Sequence, residues 1–384
     1  MNALFIRKHT RRLCFDKCLK LCREFSKQTR QASNGAMSDR ARRICLVGSG
    51  NWGSAIAKVA GENAIQKPKR FISPIMMYVY EEVVDGRKLS EIINTDHVNP
   101  KYMPGIKLPE NVVAIPDVVE AARDADVLVF VVPHVFIRRI CQSLKGNIKS
   151  DAIGISLIKG LDSSSEGVSL VSKVIEEELS MPCHVLMGAN LAGEVAQEMF
   201  VEATIGCTVT EHAPILKDLF HCRYFKVNTV TDAVTVELCG AIKNVVAIGA
   251  GIIDGLECGE NTKAAVIRLG MVEILLFIKT FYGEVNKEIF FESCGFADLI
   301  ASCYGGRNRR CAELFARTGK SFEDLEKEIL NGQKLQGPST LHQVYKTIKE
   351  KDLIQSFPLF TSLAKIVCEG QTPTTLIDKL KDHF

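Results

Sequence analysis

Arg43-Ile-Cys-Leu-Val-Gly48-Ser-Gly50-Asn-Trp-Gly53 is a short apolar run that ends in a glycine-rich loop. The run reads as a strand buried on both faces of a parallel sheet. Residues 54–61 are small and helix-compatible. Gly-x-Gly-x-x-Gly between a strand and a helix has the setting that a dinucleotide loop requires. Gly48 permits the tight turn, Gly50 lets backbone approach a pyrophosphate, and Gly53 allows the helix to pack closely on the strand. The helix amino terminus behind them attracts phosphate. Ser49, Asn51 and Trp52, the only tryptophan of the chain, complete the candidate cofactor loop.

Further apolar runs follow at 75–80, 126–132, 152–158, 184–188, 204–208 and 224–230. Stretches with a polar face, such as 135–144 and 167–179, read as helices between them. This alternation predicts a Rossmann-type doubly wound parallel sheet, an α/β domain over 41–230. Beyond 230 the strand signals stop. Residues 234–251, 261–281, 296–302, 310–318, 321–331, 338–349 and 374–381 all read as helices, so 231–384 is expected to be an all-helical substrate and catalytic domain. Ser321 with Asp324 gives one of these helices an N-cap.

The chain has 384 residues and a net charge of +3. That sum conceals a division. Residues 1–40 carry +7 and the remainder carries −4. A mildly acidic body is no nucleic-acid binder. The hydrophobic share of 46% suffices for a packed core. No uncharged apolar run approaches the roughly 20 residues that span a bilayer, so no integral membrane partner is expected. The basic leader, poor in acids, has the composition of a mitochondrial transit peptide. A disordered extension, or a second start at Met37, is the alternative. The 14 cysteines show no zinc spacing, so no metal is expected. Cys45, Cys141, Cys207 and Cys239 read as small buried hydrophobes of a reducing compartment.

Glu237-Leu-Cys-Gly-Ala-Ile-Lys243-Asn244-Val-Val places a lysine in an apolar, small-residue helix. Burial disfavours an ammonium and lowers its pKa toward neutrality. That is the property a general acid and base for a carbonyl/alcohol pair needs. A lysine snorkelling at a helix edge is the alternative for a lone residue. Here Asn244 adjoins it, and Lys159 ends another apolar run at a strand's carboxyl end, where ligands bind. Ser302-Cys-Tyr-Gly-Gly-Arg307-Asn308-Arg309 is a second polar cluster, whose backbone N–H groups and guanidinium suit a phosphate. Asp298 could orient Lys243 across the fold. The loop 332–337 offers Lys334 and Gln336 as a cofactor clamp. The second strand ends at Tyr80-Glu81-Glu82, and an acid there favours NAD over NADP. Residues 62–74 read as an insertion that carries this acid further from the loop than usual. His134, Thr262, Lys263 and Arg268 read as structural.

Several long segments in order resemble the NAD-dependent glycerol-3-phosphate dehydrogenases of eukaryotic cytosol. They are Gly48-Ser-Gly-Asn-Trp-Gly-Ser-Ala-Ile-Ala57, Phe130-Val-Val-Pro-His134, Ser156-Leu-Ile-Lys-Gly160, Gly240-Ala-Ile-Lys-Asn-Val-Val246, Asn261-Thr-Lys-Ala-Ala-Val266 and Cys303-Tyr-Gly-Gly-Arg-Asn-Arg309. The resemblance runs from about Arg43 to the carboxyl terminus. It implies interconversion of dihydroxyacetone phosphate and sn-glycerol 3-phosphate, with a position matching Lys243 as proton donor and acceptor. It implies that Lys159 contacts substrate, and that Asn244, Asp298, Arg307 and Asn308 line the site. It implies NAD contacts at residues 48–53, Tyr80, Phe136, Ala192, Arg307, Lys334 and Gln336. It also implies a cytoplasmic homodimer. The leader departs from the family and leaves a mitochondrial location as the alternative. A β-hydroxyacid or 6-phosphogluconate-type dehydrogenase, and an NAD-binding regulator without turnover, are the competing readings.

Overall fold

The computed structural model describes residues 40–382 apart from 165, 166 and 331. The basic leader, all but Arg40, lies outside the described residues. Eight strands form the main sheet: β1 (Arg42–Val47), β2 (Phe71–Tyr78), β3 (Val112–Ile115), β4 (Val127–Phe130), β5 (Ile153–Ser156), β6 (Cys183–Met187), β7 (Val201–Gly206) and β8 (Phe225–Val230). Their spatial order is β3-β2-β1-β4-β5-β6-β7-β8. The first six are parallel, in the doubly wound order of a Rossmann sheet. The sheet then reverses: β7 runs antiparallel to β6, and β8 is parallel to β7.

Alternation along β1 explains why its whole run is apolar. Ile44 and Leu46 pack on one face with Ile56 and Val59 of helix α1 (Asn51–Gln66). Cys45 and Val47 pack on the other, with Ile137, Ile140 and Val171. A strand covered on both sides has no polar face to display. The cysteines behave as the composition suggested. Cys45, Cys141, Cys207 and Cys239 are free and buried. Burial pushes the thiols of Cys45, Cys141 and Cys207 up to about 12, which makes them inert.

Besides the reversal of the expected parallel sheet, and a helix at Pro358–Val367 that the sequence reading lacks, further details differ from it. β3 is a four-residue edge strand that carries too short a pattern to stand out. Residues 62–74 are no insertion: they close the four-turn helix α1, turn, and enter β2. In the stretch read as a helix over 167–179, Gly167–Leu170 pairs as a strand with Leu161–Ser164, and the helix runs Val171–Leu179.

Beyond β8 the chain is helical: α2 (Ala233–Gly255), α3 (Glu260–Tyr282), α4 (Asp298–Gly305), α5 (Arg307–Thr318), α6 (Phe322–Leu330), α7 (Gln336–Glu350), α8 (Pro358–Val367) and α9 (Thr375–Asp382). Asp232 caps α2 by accepting from the Thr235 N–H at 2.9 Å. The Asp324 N–H donates to Ser321 Oγ at 3.1 Å ahead of α6, the cap expected there. α2 runs through the middle of the helical core. A Cβ on Gly251 would overlap the Arg309 carbonyl oxygen, so glycine lets α5 lie directly against α2.

Candidate active site

Parallel strands deliver their carboxyl ends to one edge of the sheet. β1 leads into the 48–53 loop, β2 into Tyr80, β4 into Phe136, β5 into Lys159, and β6 into Asn190 and Ala192. The loop has the geometry its glycines suggest. Gly48 has φ +125°, in the region L-side chains avoid. A Cβ on Gly53 would overlap the Gly48 carbonyl oxygen and lie 2.9 Å from its carbonyl carbon. Gly50 is the N-cap of α1 and supplies no side-chain cap, and a Cβ there would meet nothing within 4 Å. Uncapped N–H groups at a helix amino terminus, with open space before them, fit a pyrophosphate. Buried Asn99, which the sequence gave no reason to single out, braces the loop. Its Nδ2 donates to the Ser49 carbonyl at 2.8 Å and to Ser54 Oγ at 2.9 Å. The Trp52 ring is drawn into the core, edge-on to Phe225 at 6.4 Å.

Gly53→Ala would force backbone against backbone. We expect a loss of about 1–3 kcal/mol of stability, together with weaker NADH binding. Thermal unfolding and a fluorescence titration of NADH test the pair, and wild-type values in both would refute the packing argument.

Around the crevice, Tyr80 is 71% exposed and Phe136 51% exposed. Both rings are therefore free to cover a ligand. The two acids after β2 are already engaged. Glu81 accepts from Ser90 Oγ at 2.6 Å. Glu82 accepts from Tyr102 at 2.9 Å and pairs with Lys101.

The central charges sit where α2, α4 and the end of β5 meet. Lys243 is 4% exposed. Its Nζ is ion-paired with Asp298 Oδ1 and donates to Ser302 Oγ at 2.8 Å. Lys159 Nζ lies 3.5 Å from the other oxygen of Asp298 and donates to the Gly188 carbonyl at 3.1 Å and Asn190 Oδ1 at 3.0 Å. One carboxylate thus serves two ammonium groups. Burial lowers the Lys243 pKa to about 8, against the pull of Asp298 and with the help of Lys159. Ser302 opens the polar cluster 302–309 read from the sequence, but its contact with Lys243 and the part played by Asn190 were not anticipated. Each is 59 and 31 residues from the lysine it touches. The buried Asn190 Nδ2 has no partner among the described residues.

Next to Lys243, Asn244 Oδ1 accepts from Asn308 Nδ2 at 2.9 Å, and Asn308 Oδ1 accepts from the Gly337 N–H at 2.9 Å. This chain ties α2, α5 and the start of α7 together. Arg307 begins α5 after the break at Gly306, and its Nη1 donates to Gln333 at 2.9 Å. The guanidinium therefore spans from α5 to the 332–337 loop. Arg309 instead pairs with Asp254 at 2.6 Å, beside Lys263 on the same carboxylate at 2.9 Å. Lys263 is thus buried in an ion pair. Lys334 pairs with the buried Glu326 at 2.7 Å while its side chain stays 74% exposed. Glu326 also accepts from the Leu335 N–H at 2.9 Å, which anchors the loop. Lysines 159 and 243, Asp298, Asn244 and Asn308 thus gather in one cluster, with Arg307 and the 332–337 loop at its rim.

Known proteins are similar to this chain along both of its halves. The model of the NAD-dependent glycerol-3-phosphate dehydrogenase N-terminus matches residues 43–213, and that of the C-terminus matches 232–378. The human cytoplasmic NAD(+) glycerol-3-phosphate dehydrogenase is 56% identical over 344 residues, 89% of this chain and 98% of that protein. A solved glycerol-3-phosphate dehydrogenase from Plasmodium falciparum has a TM-score of 0.86 and 42% identity, covering 90% of this chain and 97% of its own. The enzyme from Saccharomyces cerevisiae has a TM-score of 0.83 and 42% identity, covering 89% of this chain and 100% of its own. With the dinucleotide cradle, the buried lysine and matches along both halves, this chain belongs to the NAD-dependent glycerol-3-phosphate dehydrogenase family of oxidoreductases.

Proposed function

We propose that the enzyme interconverts dihydroxyacetone phosphate and sn-glycerol 3-phosphate, with Lys243 as the proton donor and acceptor. The observation that carries this reading is a lysine sealed in an apolar helix, paired with one carboxylate, and poised at about 8. NADH supplies the hydride that reduces C2 of the ketone. The 48–53 loop and the amino terminus of α1 hold its pyrophosphate, with Tyr80, Phe136, Ala192, Arg307, Lys334 and Gln336 around it. Arg307 and Asn308 hold the substrate phosphate, so that the ketone is fixed beside the lysines. As C2 becomes an alkoxide, Lys243 gives up one proton to that oxygen. Lys159 adds positive charge where negative charge develops, already oriented by Asn190 and Asp298. In the reverse direction neutral Lys243 takes the hydroxyl proton.

The test is oxidation of NADH, followed optically, with dihydroxyacetone phosphate against a panel of β-hydroxyacids and 6-phosphogluconate. Turnover with the triose phosphate alone is expected. Preference for a hydroxyacid, or no turnover with any of them, overturns the reading. Arg307→Ala should raise KM for dihydroxyacetone phosphate on the order of tenfold to a hundredfold, as loss of a charged hydrogen bond does. A loss of NADH affinity with KM for the ketone unchanged would leave Arg307 to the cofactor alone. The names of the relatives support a cytoplasmic setting. The homodimer implied by the resemblance is tested by light scattering on the purified enzyme.

A further inference from the structure

Two buried polar atoms on different sides of the crevice have no hydrogen-bond partner among the described residues: His134 Nδ1 and Gln336 Oε1. They face one spot. A Cβ built on Gly160 would lie 3.0 Å from His134 Nδ1 and 3.1 Å from Gln336 Oε1. His134 opens the 3-10 turn His134–Phe136 after β4, the turn that presents Phe136. Gln336 is the first residue of α7, at the end of the 332–337 loop. Gly160 follows Lys159. Three segments that border the crevice therefore meet at a single point.

A buried donor or acceptor left unmatched costs about 1–3 kcal/mol, so such groups are normally paired. An imidazole nitrogen that carries a proton donates, and a glutamine carbonyl oxygen accepts. His134 is 9% exposed. Burial pulls its pKa down, opposed by Gln336 and Asp162 beside it, so the ring is neutral and donates from one nitrogen only. The glutamine has a second end. Its amide nitrogen offers two donors, and a flip would replace them with an oxygen that repels phosphate.

We propose that His134 is a positioning residue for NAD: its Nδ1–H donates to Gln336 Oε1 across Gly160 and turns the Gln336 amide nitrogen toward the cofactor. The same contact holds the start of α7 against the turn that carries Phe136. Hydrophobic packing alone would not select one face of the amide. The proposal rests on the reading of Gln336 as a NAD contact.

A double-mutant cycle on the NADH dissociation constant tests it, measured by fluorescence titration of the purified enzyme without second substrate. His134→Phe keeps a ring and removes the donor. Gln336→Met removes the amide. Each should weaken NADH about tenfold, and the double variant should bind no more weakly than Gln336→Met. His134→Asn, whose amide nitrogen falls near Nδ1, should recover most of the affinity. At saturating NADH, kcat of the His134 variants should stay near wild type. Gly160→Ala, which wedges the pair apart without altering either side chain, should weaken NADH in the wild-type background and be silent beside Gln336→Met. That variant keeps the question decidable even if His134→Phe does not fold. Additive losses, or His134→Asn no better than His134→Phe, would overturn the proposal and leave His134 as packing. If Gln336→Met weakens NADH and no His134 variant does, the contact fails while the reading of Gln336 stands. If Gln336→Met leaves NADH affinity intact, both fail.

Discussion

Lys243→Ala lowers kcat for reduction of dihydroxyacetone phosphate by about 10²–10⁴, the range supplied by a positioned general acid. NADH affinity should persist, because the cradle at 48–53 belongs to a different part of the fold. Asp298 keeps Lys159 at 3.5 Å in the variant, so the carboxylate is not stranded and the enzyme should still fold. The pH dependence carries a sign. Reduction needs protonated Lys243, so kcat/KM for the ketone should fall as pH rises through about 8. Oxidation needs the neutral amine, so kcat/KM for the alcohol should rise through the same region. Initial rates in both directions across pH 6 to 10 are the measurement, with that range set around about 8. An unchanged kcat in Lys243→Ala would sink the assignment, and so would limbs that survive the substitution.

Asp298→Ala should damage stability and activity together. Removing one partner of a buried ion pair strands the other, at a cost of about 3–5 kcal/mol. Here two ammonium groups lose their shared carboxylate. The carboxylate that holds the Lys243 pKa up disappears, while burial and Lys159 still push it down. The acid limb of reduction should therefore move below about 8. The stability deficit has its own pH dependence. A lysine whose folded pKa lies below its unfolded value binds fewer protons when folded, so stability rises with pH between the two values. The thermal deficit of Asp298→Ala should accordingly be larger near pH 7 than at alkaline pH. A deficit of constant size would show that the carboxylate acts through packing and not through charge.

Legibility from sequence followed the range over which each signal is written. The 48–53 loop was readable because strand, glycines and helix are contiguous. The six parallel strands were readable in all but β3, since burial on both faces leaves an unbroken apolar run. β3 has only Val112-Val-Ala-Ile115 at the sheet edge. The reversal between β6 and β7 was not readable, because an apolar run records burial and carries no direction. Within the site, Lys243 announced itself as a charge in an apolar helix. Its partner Ser302 lies 59 residues away and is an ordinary helix residue until α4 is laid across α2. Asn99 and Asn190 escaped for the same reason. The misread interval 62–74 was a fault of measure: a 16-residue helix and an eight-residue strand fill it without any insertion.

The helix α2 also bears on how the enzyme dies. It is 23 residues long with a mean hydropathy of 1.7 over its most apolar stretch, and that stretch is wholly enclosed. By length and composition it could cross a bilayer; here other helices wrap it. When the fold opens, this segment is released as an adhesive span, and exposed apolar surface of that kind favours association between chains. The thermal comparisons above therefore call for low protein concentration and recovery of the folded signal on cooling, since an irreversible step would turn endurance into a half-life rather than an equilibrium. The burial that readies Lys243 for proton transfer thus places the reaction centre on the same apolar span.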